Sequence, residues 1–169
     1  MNRTERRAQA RAQRIAQQEV KRLRQRTLKI ADSAYYKGSL TEVQKEKLYA
    51  MVDLAYVQLS TGYAQTNDVQ TIAYAVNMAA AMATTHKLGI GEWEHNTIRD
   101  AQSAVDHLDQ RVKDHGRWLA TGVELIAIRE ALLIYRTQLD YATPGRFVAA
   151  QTEVRKAAES GEYAKGVTV

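Results

Sequence analysis

The sequence has no cysteine and a single proline, Pro144, among its 169 residues. Without cysteine the chain forms no disulfide framework and offers no thiol nucleophile. It holds neither an iron–sulfur cluster nor the usual cysteine-ligated zinc. The same absence suits a reducing compartment, so a cytoplasmic setting is expected. Long apolar runs are missing too. The longest, near Ala79–Ala83, falls far short of the ~20 residues a membrane span requires. No apolar stretch of the length of a signal peptide follows the basic opening. Neither export nor membrane insertion is therefore expected. Phenylalanine occurs once, against nine tyrosines. What remains is ordinary globular material, 45% hydrophobic and 25% charged, in a chain long enough to bury a core.

Charge is unevenly placed. Residues 1–30 hold ten basic residues against Glu5 and Glu19, a net +8. The other residues hold 14 basic and 17 acidic side chains, a net −3. The overall +5 thus comes from one segment. Residues 3–36 contain neither glycine nor proline and are rich in Ala, Gln, Arg, Lys and Glu, which favour helix. Ala16, Val20, Leu23, Thr27, Ile30 and Ala34 recur at alternating spacings of four and three, a narrow helical seam. The expectation is a basic helical arm over 1–37, a bundle over 38–162 and a frayed tail over 163–169.

Glycine punctuates the rest. A helix is predicted over about 41–61, with Ser39/Glu42 or Thr41/Gln44 as a capping box and Gly62 as its stop. Its apolar face is Leu48, Met51, Val52, Ala55 and Leu59. Tyr49, Tyr56 and Tyr63 follow at sevens on a second face. An alanine-rich helix over about 68–87, capped by Asn67 or Asp68, should be central, because so much alanine lets neighbours approach on several sides. Helices over about 92–115, 117–142 and 145–159 follow, the second of these the most apolar. No alternating strand pattern appears. The fold class is all-α, a bundle of five to six helices with a long basic N-terminal helical arm.

No catalytic constellation emerges. The histidines, His86, His95, His107 and His115, have no partner set for a nucleophilic triad. Glu92-x-x-His95 occurs once, where a carboxylate-bridged di-metal bundle needs two copies and two further inward carboxylates. Asp106, Asp109 and Asp114 read as a solvated helix face. Gly89-Ile90-Gly91 is a helix stop, since no strand precedes it and no P-loop lysine follows. No cofactor, no metal and no enzymatic activity are expected. The candidate contacts are instead Arg3, Arg6, Arg7, Arg11, Arg14, Arg22, Arg24 and Arg26 of the arm, whose field attracts phosphate or acidic surfaces. Tyr49, Tyr56 and Tyr63 join them, since tyrosine suits surfaces where a ring is covered and its hydroxyl stays wet.

Three stretches carry a resemblance: Leu88-Gly89-Ile90-Gly91-Glu92, Gly116-Arg117-Trp118-Leu119-Ala120-Thr121-Gly122, and Gln138-Leu139-Asp140-Tyr141-Ala142-Thr143. Over roughly residues 68–162 the chain resembles a family of small helical proteins of bacteriophages and prophages of proteobacteria. Its opening, Met1-Asn2-Arg3-Thr4-Glu5-Arg6-Arg7, is similar to many short phage reading frames. The resemblance implies an accessory phage product made in the bacterial cytoplasm. Such a product would be a non-catalytic binder that docks on a host protein or protein–nucleic acid machine, as an anti-defence or takeover inhibitor. Two alternatives stand beside it. One is direct nucleic-acid binding by the arm, with the bundle as a dimer scaffold. The other is a virion or assembly component.

Overall fold

The computed structural model describes residues 39–84 and 95–160. Five helices hold nearly all of them: α1 Glu42–Ser60, α2 Thr66–Thr84, α3 His95–His115, α4 Gly122–Tyr141 and α5 Pro144–Ser160. No strand occurs among the described residues. The chain divides into two units, residues 1–37 and 38–169. The first unit, with the whole predicted arm, lies outside the described residues, as do Gly89–Gly91 and the tail.

Local chemistry sets the helix ends. Of the two candidate boxes before α1, Thr41/Gln44 is used. Thr41 Oγ1 accepts from the Gln44 amide at 3.3 Å and Gln44 Oε1 accepts from the Thr41 amide at 3.0 Å. At the other end Gly62 takes φ +78. Its amide reaches Leu59 O at 3.2 Å, and the Tyr63 amide reaches Gln58 O at 2.9 Å. This is a Schellman close, which needs a left-handed residue after the cap. A Cβ at Gly62 would meet no atom within 4 Å, so an alanine there is strained only by its backbone. Gly62→Ala should therefore lower the unfolding free energy by about 1 kcal/mol, read from urea denaturation.

Two starts differ from the sequence reading. α2 begins two residues early, at Thr66, and Asp68 reaches back to the Gln65 amide at 2.8 Å. Asp68 is thus a first-turn acid rather than the cap. α4 begins at Gly122, not near 117. Thr121 and Glu124 form a capping box there, with Thr121 Oγ1 accepting at 3.3 Å and Glu124 Oε2 accepting from the Thr121 amide at 2.7 Å. Trp118 and Leu119 precede that helix in irregular chain, with Trp118 buried on the core. Pro144 opens α5 at the first helical position, where its missing N–H leaves no bond unmade.

α2 is the central helix, as its alanines imply. It packs against α1, α3, α4 and α5. Val69, Ile72, Ala75, Val76, Met78, Ala79, Ala81 and Met82 are fully buried. α4 adds Ile128, Ala131, Leu132, Tyr135 and Leu139, and α3 adds Ile98, Ala101, Val105 and Leu108. Alanine at these crossings lets axes approach closely, while Tyr135, Met78 and Leu108 fill the volume between them. No helix among the described residues is long and apolar enough to cross a membrane.

Candidate functional site

Polar and aromatic residues join α1 to α4 along one seam. Lys45, buried, sits 2.9 Å from Glu42 and 3.5 Å from Asp140. Tyr49 donates to Asp140 Oδ1 at 2.9 Å, and its ring lies 4.7 Å beneath the Arg136 guanidinium. Arg136 in turn holds Asp53 at 2.8 Å. Tyr56 donates to Leu125 O at 3.2 Å. Burial, then the Asp140 carboxylate, pushes the Tyr49 phenol up to about 12. The hydrogen bond to Glu42 raises the Lys45 ammonium above its ordinary range. Residues 45 and 140 meet at one end and 56 and 125 at the other, so the two helices run antiparallel.

Outside that seam lies an unusual surface. Successive helical residues turn by about 100°. On α1 this puts Val43, Ala50, Leu54 and Val57 on the side opposite buried Val52, Ala55 and Leu59, with Met51 at its edge. Val43 is 75% exposed, Leu54 60% and Val57 53%. On α4, Val123, Ile126, Leu133 and Tyr141 are likewise exposed. The α1 stripe lies roughly a third of a turn from the seam and the α4 stripe roughly a quarter. Because the helices are antiparallel, those rotations carry both stripes to the same outer face. α1 is therefore apolar on two opposite sides. Met51, expected in the core, is half exposed on the flank between them.

A second cluster ties α3 to the start of α4. Arg111 Nη1 and Nη2 donate to both oxygens of Glu124, each at 2.8 Å, and Nη1 also donates to Leu119 O. His107 Nδ1 lies 3.6 Å from the same carboxylate. The fork–fork geometry is the strong form of this pair. It holds the Glu124 carboxyl down at about 2, with the Thr121 hydrogen bonds adding to the guanidinium's effect against burial. The pair fixes the turn carrying Trp118 and consumes both charges internally.

The structure places the expected contact residues unevenly. Tyr49 and Tyr56 are half buried, with hydroxyls engaged in the α1–α4 seam. Tyr63 is 74% exposed, beyond the end of α1. Arg3, Arg6, Arg7, Arg11, Arg14, Arg22, Arg24 and Arg26 lie outside the described residues, as do Tyr35, Tyr36, His86 and Glu92. His95, His107 and His115 are exposed. Among the described residues no three His, Asp or Glu side chains are grouped so as to hold a metal. Sequence reasoning missed the outer stripe and the Arg111–Glu124 pair. Val43-x6-Ala50-x3-Leu54-x2-Val57 was the available signal for the first, and Thr121-x-x-Glu124 for the second.

No protein-family model matches the chain, and neither a curated protein nor a solved structure matches it.

Proposed function

We propose that this chain is a non-catalytic binding protein, an accessory phage product that docks on a host protein or protein–nucleic acid machine. The observation that carries this reading is the charge partition, +8 within residues 1–30 against −3 in the remainder. Such a partition sets one strongly basic segment of sequence against a remainder of mild negative charge, and the segment's field favours acidic protein surfaces or phosphates. Within the bundle the chief interhelical charges are used differently. Lys45, Arg136, Arg111, Asp53, Asp140 and Glu124 sit in ion pairs that brace helices against one another. The phage setting rests on the resemblance alone.

The same charge favours a second reading, direct nucleic-acid binding by the arm. One experiment separates the two. Deleting residues 1–14 removes Arg3, Arg6, Arg7, Arg11 and Arg14 and leaves the seam from Ile15 onward. Capture of partners from a bacterial lysate, with and without nuclease, should weaken on deletion while the melting temperature stays put. If the partner is nucleic acid, the log–log salt slope should shrink by up to about 4.5 on losing five arginines, and nuclease should abolish capture. If the partner is a protein, nuclease should leave capture intact, and deletion should act mainly on the association rate. Unchanged capture and rate after deletion would refute the proposal.

A further inference from the structure

We infer that the outer face of the α1–α4 layer is a self-association surface, occupied by the same face of a second copy of this chain. The first argument is composition. Eight of the ten exposed large hydrophobic residues among those described lie on these two helices: Val43, Met51, Leu54 and Val57 on α1, and Val123, Ile126, Leu133 and Tyr141 on α4. Scattered exposed apolar residues need no account, but a contiguous face marks an interaction. The opposite side of each helix already fills the core, so core packing does not explain why this side is apolar too.

The second argument is size. Two helices of about 20 residues, ~30 Å long and ~9 Å apart, present a face of about 600 Å² in projection. Its corrugated accessible area approaches the ~800 Å² per partner of a standard stable interface. A small peptide would leave half of it bare.

The third argument is charge, and it selects the occupant. The face and its rim carry Glu46 and Lys47 from α1, with Arg129 and Glu130 from α4, while Asp53 and Arg136 neutralise each other at 2.8 Å. With Lys45 shared between Glu42 and Asp140, both signs are close to balance, with one acid in excess. A polyanion such as DNA or RNA gains nothing from it, and a strongly acidic or basic partner is not favoured either. A copy of itself meets it with matching apolar stripes and both signs of charge, as an isologous twofold contact requires. The result is a four-helix core built from two α1–α4 layers. It places two basic arms on one assembly. The inference stands whether or not the arm binds as proposed above.

The test uses the full-length chain alone, so its failure and that of the arm reading are distinguishable. Sedimentation equilibrium from ~1 to ~100 μM should show a species of twice the 19.0 kDa chain mass. Leu54→Glu and Ile126→Glu should each weaken association at least tenfold with unchanged far-UV circular dichroism. Should either lose helix content, Leu54→Ser and Ile126→Ser decide the matter at lower structural risk. Val148→Glu, an exposed site on α5, which packs chiefly against α2, should leave association alone. A chain monomeric throughout the range would overturn the inference. So would a dimer indifferent to the changes at 54 and 126, or equally sensitive to the one at 148.

Discussion

Leu132→Ala should lower the unfolding free energy by about 2–5 kcal/mol, the range for truncating a buried leucine. Leu132 is 6% exposed, midway along α4 and among the residues of the core that α2 and α4 share. Truncation removes three carbons, Cγ and its two methyls, from contact, and rigid neighbours such as Tyr135 and Ile128 cannot close the cavity fully. Its chain neighbour provides the control. Leu133, of equal size and 51% exposed, points to the outer face. At concentrations where the chain is monomeric, Leu133→Ala should change unfolding by less than about 0.5 kcal/mol. Urea denaturation of both variants measures the difference. Equal effects at 132 and 133 would mean that α4 is rotated from the position described.

How much of this was legible in the sequence depends on what each residue contacts. Helix identity was written locally. Thr41 and Gln44 cap each other across three residues, Gly62 ends α1 by its own φ, and the alanines of α2 announce close packing without naming a neighbour. The start of α4 was hidden because Trp118 and Leu119 are as apolar as the helix they precede. Trp118 is buried because irregular chain folds back on the core, which a helical periodicity absorbs without protest. The outer stripe of α1 was hidden for a related reason. Apolar residues on two opposite sides cancel any single direction, so Met51 was grouped with Val52 although the two project to different surfaces. The sequence reads Tyr49 and Tyr56 as covered rings that offer a wet hydroxyl to a partner. Only the fold shows that those tips are met by Asp140 and by the carbonyl of Leu125, residues remote in sequence.

The Arg111–Glu124 pair was the least legible feature and should dominate the acid stability of the bundle. The two residues stand thirteen apart, across the turn at Gly116, so no helical spacing relates them. Glu124 keeps a carboxyl held at about 2 in the fold, against an ordinary value of 4.5. A depressed folded value means the stabilisation is fully present above about pH 5. It is lost as the pH falls from 4.5 toward 2, and it amounts to at most about 3 kcal/mol. Glu124→Gln keeps the side-chain shape and an oxygen that can accept from the Thr121 amide, but removes the charge. It should cost about 2 kcal/mol at neutral pH and flatten the stability profile between pH 2 and 5. Arg111→Met keeps the packed stem and leaves the carboxylate with only Thr121 and the helix end. It should destabilise by a similar amount and move the acid transition upward, because the largest influence lowering Glu124 is gone. In the double variant the losses should fall well short of their sum, since each change alone already breaks the pair. Chemical denaturation of the four proteins across pH 2–7 checks this. An unaltered acid limb in Glu124→Gln, or strictly additive losses, would show that the pair is held by the fold rather than holding it.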